Sequence, residues 1–279
     1  MKDCIVVAGG GTGGHVFPAL AVIDALRVLW PGRVVWIGSA RGMERDLVVS
    51  RGLPFYGVPS GKLRRYLSLE NLLDGFRVIA GLFASLWILL REKPRLVFSK
   101  GGYVSVPPLL AARLLGIPSV THESDLEPGL ATRINARFAR KTLISFAESA
   151  AYFEPSLRTR IVHTGNPVRA ALLHGEAQAG RRLVSCPPGR PLLLVLGGSL
   201  GSAAVNRMVA QCLDTLLQAC FVVHQMGPAQ FQESKREGYH RAPFFAEELP
   251  HLLAAADLVV CRAGANTLWE LAALGKPSI

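Results

Sequence analysis

Residues 4–15 read CIVVAGGGTGGH, a short apolar run followed by six residues of which five are glycine. A strand, a tight glycine turn and a helix that begins at the turn direct backbone N–H groups and the positive end of a helix dipole toward a phosphate. The glycines also fit the G-x-G-x-x-G spacing of dinucleotide sites, which is a weak signal on its own. A tight turn that binds no ligand is the alternative.

An NAD site places an acidic residue about 20 positions further on, at the end of the second strand. Here the next apolar run, 34–37, ends in Gly38-Ser39-Ala40-Arg41 and has no acid. Arg41 suits the additional phosphate of NADP, so a reductase stays open as a minor alternative. The glycine turn therefore predicts an α/β phosphate-binding unit without identifying its ligand.

Short apolar runs alternate with helical patterns, which is typical of βαβ units and a parallel sheet. These segments are 4–8, 16–29, 34–37, 47–49, 69–91, 96–99, 105–115 and 119–121. Glycine and proline interrupt the alternation between 165 and 191. It resumes with an apolar run at 192–196, a second glycine turn at 197–201 and a helix near Ser202. We predict two Rossmann-like domains, 1–164 and 165–279.

The C-terminal residues indicate how much of the second domain this chain contains. The run 258–261 predicts a strand and 266–274 predicts a helix, and the chain stops at Ile279, where a further strand should begin. A parallel sheet that ended there would expose an edge. We therefore expect the second domain to be truncated in this chain.

Composition narrows the class of protein. The 279 residues are 50% hydrophobic, enough for a large core, which excludes a disordered chain. Lys and Arg number 31 against 20 Asp and Glu, so the formal net charge is +11. This excess indicates an anionic partner: nucleic acid, a phosphorylated substrate or an anionic membrane surface.

The five cysteines are widely spaced without a C-x-x-C motif, which predicts reduced thiols rather than zinc ligands.

His15 directly follows the glycines, at the predicted start of a helix. The positive end of a helix disfavours an imidazolium and lowers the pKa, which suits a neutral general base. A capping or packing histidine is the alternative.

Glu123, Asp125 and Glu127 follow His122 and raise the question of a metal site. Loop carboxylates without a metal are the favoured interpretation.

A basic segment precedes the most apolar helical pattern of the chain. The basic residues are Lys62, Arg64 and Arg65, and the helical pattern 69–91 contains the aromatic residues Phe76, Phe83 and Trp87. Its uncharged window, Val78 to Leu90, is shorter than the roughly 20 residues that span a bilayer. The pattern predicts either an interfacial patch attracted to anionic lipid or a core helix with a solvated basic end.

Seven motifs, in order over essentially the whole chain, resemble those of the MurG family. They are residues 9–18 (GGGTGGHVFP), 60–66 (SGKLRRY), 99–107 (SKGGYVSVP), 122–125 (HESD), 164–169 (TGNPVR), 197–199 (GGS) and 262–270 (RAGANTLWE). The resemblance implies a GT-B architecture, with two Rossmann-like parallel-sheet domains facing across a cleft. It implies an inverting transfer of N-acetylglucosamine from UDP-GlcNAc to the muramyl C4 hydroxyl of lipid I (undecaprenyl-diphospho-MurNAc-pentapeptide), which gives lipid II for peptidoglycan. It also implies a peripheral enzyme on the cytoplasmic face of the bacterial plasma membrane, without metal or cofactor.

The resemblance further implies roles for individual residues, with His15 as the candidate base. UDP-GlcNAc would be bound by Thr12, Gly13, Gly14, Asp125, Arg169, Ser199, Asn206, Ala246, Ala265, Asn266, Thr267 and Glu270. The acceptor and its diphosphate would be held by Gly11, Gly101, Gly102, Tyr103, Ser105 and Glu123. Lys62, Arg64, Arg65, Phe76, Phe83 and Trp87 would form the membrane patch. Three positions depart from the residues common in the family, namely Asp125, Thr132 and Leu200.

Three other interpretations compete with this one. A non-catalytic remnant that binds UDP-GlcNAc or a membrane would turn over nothing. A GT-B transferase for another lipid acceptor, or a UDP-sugar epimerase, would share the fold and differ in the reaction. A nucleic-acid-binding protein would account for the charge, but no recognition motif accompanies it, so nucleic acid is not expected as a partner.

Overall fold

The structure, a computed structural model, describes residues 3–40, 42, 44–61, 69–233 and 236–279. The chain divides into two compact units, Met1–Pro167 (unit 1) and Val168–Ile279 (unit 2). The residues just after the predicted boundary at 164 stay with unit 1. The Thr164 N–H donates to the Ile144 carbonyl at 3.0 Å, and the Asn166 side chain is buried in that unit.

Unit 1 is built on a parallel sheet of seven strands in the order β3-β2-β1-β4-β5-β6-β7. The strands are β1 (Cys4–Ala8), β2 (Arg33–Ser39), β3 (Phe55–Val58), β4 (Leu96–Ser99), β5 (Ser119–Glu123), β6 (Lys141–Ile144) and β7 (Ile161–His163). The helices are α1 (Gly13–Leu29), α2 (Glu44–Val49), α3 (Leu69–Glu92), α4 (Val106–Leu114) and α5 (Leu130–Phe138). Val6 and Val7 of β1 belong to two different hydrophobic clusters. Both faces of the sheet are therefore covered, which explains why β1 is apolar throughout rather than alternating.

The strand order places a switch point at β1, which pairs with β2 on one side and with β4 on the other. In open parallel sheets, ligands bind beyond the carboxyl ends of the strands at such a point. The loops that follow β1 and β4 are the two glycine-rich motifs 9–14 and 100–105. The topology therefore brings together two segments that lie about 90 residues apart in the sequence.

Two details of the predicted alternation are wrong. The run 47–49 does not form a strand, because it is the end of helix α2. The strand of this region is β3, whose sequence Phe-Tyr-Gly-Val is short and interrupted by glycine. Apolar runs of three or four residues occur in buried helices as well as in strands, so periodicity does not separate the two.

Unit 2 is a smaller parallel sheet in the order β10-β9-β8-β11. Its elements are α6 (Ala177–Leu183), β8 (Leu192–Leu196), α7 (Ala203–Ala219), β9 (Phe221–Gln225), β10 (Tyr239–Ala242), α8 (Leu249–Ala255), β11 (Leu258–Cys261) and α9 (Ala265–Ala273). Leu194 and Val195 lie in separate core clusters, so the central strand β8 is buried on both faces. The predicted strands 192–196 and 258–261 are confirmed.

Two unit 2 helices have defined ends, and the helix start predicted near Ser202 is confirmed. Ser202 is the N-cap of α7, and its hydroxyl accepts the Val205 N–H at 3.4 Å. Gly275 follows α9 with φ +60°, the left-handed conformation that ends a helix. Beyond it, the Ile279 N–H donates to the Val259 carbonyl at 2.9 Å, so the last residues run parallel to β11.

Within the described ranges, no helix combines the length and the apolar character that crossing a bilayer requires.

Candidate active site

The candidate site of unit 1 lies at the carboxyl ends of β1 and β4. Helix α1 begins at Gly13, so its N-terminus is formed from the glycine motif itself. Gly102 has φ +77°, and a Cβ at this position would lie 2.7 Å from the Gly10 carbonyl oxygen and 3.3 Å from His15 Nδ1. Only glycine fits here, because a side chain would push the two loops apart. The structure thus brings the predicted acceptor loops and His15 into contact.

His15 is the titratable group at the centre of these loops. Its Nδ1 lies 3.0 Å from the Thr12 hydroxyl oxygen. Burial, assisted by the positive charge of Lys100, lowers the pKa of His15 to about 4, although the Asp125 carboxylate acts in the opposite direction. The imidazole is therefore neutral at physiological pH, as a general base must be.

Glu44 supports the first glycine loop and was not recognised in the sequence. Its side chain is fully buried, and its carboxylate accepts the Gly11 N–H at 3.2 Å and the Ser39 N–H at 2.7 Å. It is the first acidic residue after β2, a few positions beyond the place where an NAD site would have one. Because the carboxylate is bonded to backbone, it shapes the loop and is not presented to a ribose.

Lys100 lies between the two glycine loops and was also given no role. It is 1% exposed, its ammonium donates to the Ser124 hydroxyl, and that hydroxyl donates to Asn166 Oδ1 at 2.8 Å. Burial lowers the pKa of Lys100 to about 8, while Glu123 and Asp125 act against this shift. Its presence in the SKGG motif was visible in the sequence, but its burial depends on partners more than 20 residues away.

His122 is buried on the strand next to Lys100. Its Nε2 lies 3.0 Å from the Gly165 carbonyl oxygen, so Nε2 carries the proton, whereas the buried Nδ1 has no hydrogen-bond partner among the residues that the structure describes. Burial, together with the charge of Lys100, lowers the pKa of His122 to about 3. The ring is a neutral structural group that ties β5 to the segment after β7.

Glu123 organises the loop that follows β5. Its carboxylate accepts three backbone N–H groups, from Ser124 at 2.8 Å, Asp125 at 3.1 Å and Gly129 at 3.1 Å. Asp125 lies beyond it, and partial burial of the carboxyl group together with the Glu123 charge raises the pKa of Asp125. Across the described residues, no group of three or more His, Cys, Asp or Glu side chains is arranged to hold a metal ion.

Side-chain hydrogen bonds and packing fix the remaining residues of the second glycine loop. The Ser105 hydroxyl donates to the Gly102 carbonyl at 2.7 Å and accepts Asn135 Nδ2 at 2.8 Å. Tyr103 packs against Gly11, and burial and the nearby Glu44 carboxylate raise its pKa. Thr132, one of the departures from the family pattern, places its hydroxyl beside Gly101. Ser105 therefore fixes the loop conformation, and Gly101 and Gly102 provide its surface.

The corresponding loop of unit 2 follows the central strand β8. A Cβ on Gly201, whose φ is +80°, would collide with the Met226 carbonyl oxygen, so a side chain cannot be accommodated. Gln225 is buried, and its amide donates to the Gly198 carbonyl at 2.9 Å while its oxygen accepts the Phe245 N–H at 3.0 Å. These bonds hold the Gly198–Ser199 turn, in which Ser199 is partly exposed.

Asn206 lies on α7 and its side chain is fully bonded within the protein. The amide donates to the Met226 carbonyl and to Gln230 Oε1, both at 2.9 Å, and Oδ1 is 3.0 Å from Nε2 of the buried His224. Burial lowers the pKa of His224 to about 4. The structure therefore shows Asn206 fixing the loop after β9, and its predicted contact with UDP-GlcNAc stays a prediction.

Arg169 and Glu270 form a bidentate ion pair within unit 2. Arg169 Nε donates to Glu270 Oε1 at 2.9 Å and Nη2 donates to Oε2 at 3.1 Å, and the two side chains are 19% and 13% exposed. The paired fork geometry is the strong form of a charge-assisted hydrogen bond. The sequence resemblance assigned both residues to UDP-GlcNAc but did not predict that they bind each other.

The other unit 2 residues assigned to UDP-GlcNAc follow the carboxyl ends of strands of the unit 2 sheet, whereas four assigned residues, Thr12, Gly13, Gly14 and Asp125, belong to unit 1. Ala265, Asn266 and Thr267 form the first turn of α9, directly after β11. Ala246 is exposed after β10, and its N–H donates to Glu248 Oε2 at 3.1 Å. The Ala246 N–H is thus engaged within the protein, and the contact of Ala246 with UDP-GlcNAc stays a prediction.

The predicted membrane patch is only partly described. Lys62, Arg64 and Arg65 lie outside the described residues. On α3, Phe76, Phe83 and Trp87 are 63%, 66% and 56% exposed. The interpretation of this helix as a core helix is wrong for that face, because these three aromatic side chains are in solvent.

Comparison with known proteins places this geometry in a family. Residues 5–144 match the model of the glycosyltransferase family 28 N-terminal domain, and residues 192–279 match that of its C-terminal domain. A Treponema denticola relative named UDP-N-acetylglucosamine--N-acetylmuramyl-(pentapeptide) pyrophosphoryl-undecaprenol N-acetylglucosamine transferase is 46% identical over 99% of this chain and 76% of its own length. A Clostridium kluyveri relative with the same name is 42% identical over 99% of this chain and 77% of its own length.

A solved structure agrees with these relatives. The crystal structure of Acinetobacter baumannii MurG superposes with a TM-score of 0.67 and 28% identity, covering 99% of this chain and 77% of that protein. The predicted fold class of two parallel-sheet α/β units is therefore confirmed. The chain belongs to glycosyltransferase family 28 and, within it, to the MurG family.

Proposed function

We propose that this chain is the N-acetylglucosaminyltransferase that moves GlcNAc from UDP-GlcNAc to the C4 hydroxyl of the muramyl residue of lipid I, giving lipid II. Unit 1 would hold the acceptor and unit 2 would hold UDP-GlcNAc. The proposal rests on the position and charge of His15. Its imidazole is neutral and lies against two glycine loops at the switch point of the unit 1 sheet. The names of relatives that match 99% of the chain support the identity of the two substrates.

The chemistry is an inverting displacement at the anomeric carbon. The acceptor oxygen forms a bond to that carbon as the bond to the UDP oxygen breaks, and the hydroxyl proton passes to a base. When His15 Nδ1 carries a proton and donates to the Thr12 hydroxyl, the lone pair on Nε2 is the one that takes the acceptor proton. The departing diphosphate would be stabilised by the Arg169 guanidinium and the glycine turn of unit 2.

The reaction is tested by incubating the chain with radiolabelled UDP-GlcNAc and a soluble analogue of lipid I. We expect a disaccharide product with the inverted linkage, and no transfer to diacylglycerol. Transfer to diacylglycerol instead would identify a transferase for another acceptor, and conversion of UDP-GlcNAc without an acceptor would identify an epimerase. If UDP-GlcNAc binds in a titration but no product forms with any acceptor, the chain is a non-catalytic remnant.

We further propose that the outer face of α3 docks on the cytoplasmic face of the bacterial plasma membrane. Phe76, Ile79, Phe83, Trp87 and Leu90 are each more than half exposed. Their spacing of three and four residues places them on one stripe of the helix. The Arg91 guanidinium lies over the Trp87 ring, 5.3 Å from its centroid. An exposed aromatic stripe with basic residues beside it is the pattern of an interfacial helix.

Replacing Phe76, Phe83 and Trp87 with serine should abolish co-sedimentation with anionic vesicles while leaving transfer to a soluble acceptor unchanged. Neutralising Lys62, Arg64 and Arg65 should weaken vesicle binding roughly a hundredfold, because each basic residue near an anionic surface contributes about 1 kcal/mol. The Leu29→Ser variant is the matched control, since Leu29 is 84% exposed on a different helix. If the serine variants sediment like the wild type, the stripe has no role in docking.

A further inference from the structure

Lys100 occupies a position that the reaction outlined above does not use. It directly follows β4, its N–H donates to the Ala8 carbonyl at 3.1 Å, and a Cβ on Gly9 would lie 3.7 Å from its own Cβ. Gly101 and Gly102 follow it in the chain, and both approach the His15 ring. The lysine therefore lies between the starts of the two glycine loops, at the point where the topology predicts a ligand.

The ammonium of Lys100 has no carboxylate partner within 4 Å among the described residues. Its hydrogen bond is to the neutral Ser124 hydroxyl. The Glu123 carboxylate is already bonded to three backbone N–H groups of its own loop. A buried charge is costly unless it is paired, so a bound anion beside the ammonium would offset that cost.

The titratable groups that face Lys100 are His15 on α1, His122 and Glu123 on β5, and Asp125 in the following loop. Both histidines are neutral near pH 7 and add no second positive charge, and the Glu123 and Asp125 carboxylates act on the ammonium without forming an ion pair with it. Burial already brings the pKa of Lys100 down to about 8. An anion bound on the loops would favour the protonated form and raise this pKa again.

We propose that the Lys100 ammonium is the buried positive charge that holds the acceptor's diphosphate on the loops of unit 1. It is a positioning residue, because it acts through the loops and through Ser124 rather than by touching the substrate. The inference rests on the proposed function, which places lipid I on this unit. Proton binding at Lys100 and diphosphate binding above it are linked, so each strengthens the other by the same factor.

The test compares the KM for a soluble lipid I analogue in the wild type and in Lys100→Met between pH 6.5 and 9.5, with UDP-GlcNAc saturating. Methionine keeps the approximate volume and removes the charge. We expect the wild-type KM to rise as the pH passes about 8, where Lys100 loses its proton. In the variant, the KM at pH 7 should be raised roughly ten- to a hundredfold and should not change between pH 7 and 9.

Thermal unfolding separates this role from a structural one. The pKa of Lys100 is lower in the folded than in the unfolded chain, so its charge destabilises the fold below pH 8. Lys100→Met should therefore raise the Tm at pH 7, and the gain should shrink as the pH rises from 8 toward 10.5. A lower Tm with an unchanged KM would overturn the proposal. Lys141→Met is the matched control, because Lys141 is exposed at the start of β6.

A direct measurement distinguishes failure of this inference from failure of the proposed function. The 13Cε signal of Lys100, assigned among the seven lysines with the Lys100→Met variant, reports its titration in the intact chain. Adding P1,P2-dimethyl diphosphate, a diester that does not titrate in this range, should raise the midpoint. An unchanged midpoint at saturating diester overturns the role of Lys100. If the midpoint is still raised but the wild type transfers no GlcNAc, the proposed transfer reaction is rejected and the diphosphate site is retained.

Discussion

Replacing His15 with alanine is expected to lower kcat for transfer to a soluble lipid I analogue by roughly 10²–10⁴-fold, the usual contribution of a positioned general base. The Kd for UDP-GlcNAc should stay close to the wild-type value, because most of the residues assigned to that substrate, Arg169 and Glu270 among them, belong to unit 2. The effect should fall on kcat more than on the acceptor KM, because proton removal belongs to the transition state. Isothermal titration with UDP-GlcNAc and steady-state kinetics measure the two quantities separately.

The pH profile provides a second readout. Since burial and Lys100 hold the pKa of His15 near 4, its neutral form is already dominant at pH 5. The wild-type rate should therefore show no loss attributable to His15 between pH 8 and pH 5.5, whereas an ordinary histidine would lose activity near pH 6.5. The His174→Ala variant is the control, because His174 is exposed in unit 2. Unchanged kcat in His15→Ala would remove His15 from the proton-transfer step.

The parts of the fold that the sequence predicted are those encoded locally. Strands β1 and β8 are continuous apolar runs that end in glycine, and strand, turn and helix start are all visible within about fifteen residues. Strand β3 was missed because four residues with an internal glycine carry too little pattern. Gly101, Gly102 and His15 were recognised as site residues by motif, but their contact follows from the pairing of β1 with β4, which no local signal encodes.

The parts of the site that could not be predicted involve charges whose surroundings are assembled by the fold. Glu44 binds the N–H of Gly11, 33 positions earlier, and the bond between Lys100 and Ser124 spans 24 positions. From the sequence alone, Glu44 and Lys100 are each interpreted as solvent-exposed loop residues. Their burial depends on which strands become neighbours, and the sequence does not show this locally. Their effect on function therefore becomes visible only when the parallel sheet is formed.

The pair of Arg169 and Glu270, separated by 101 positions, leads to the second large expected effect. Arg169→Met should reduce kcat/KM for UDP-GlcNAc by roughly 10²–10³-fold, the loss seen when one preorganised donor to a developing anion is removed. Glu270→Gln should also weaken UDP-GlcNAc binding, because an amide oxygen accepts hydrogen bonds from the hydroxyl groups of that substrate less strongly than a carboxylate does. Both single variants should be less stable than the wild type, since each leaves a mostly buried charge without its partner.

The double variant Arg169→Met/Glu270→Gln separates stability from binding. Removing both charges leaves neither unpaired, so the Tm should recover toward the wild-type value. Binding of UDP-GlcNAc should not recover, because both side chains assigned to that substrate lose their charge. Arg181→Met is the matched control, because Arg181 pairs with Asp257 at 3.1 Å in the same unit. Its loss should lower the Tm and leave UDP-GlcNAc binding unchanged. If the double variant regains UDP-GlcNAc affinity together with stability, the ion pair only holds α9 in place and the nucleotide is recognised elsewhere in unit 2.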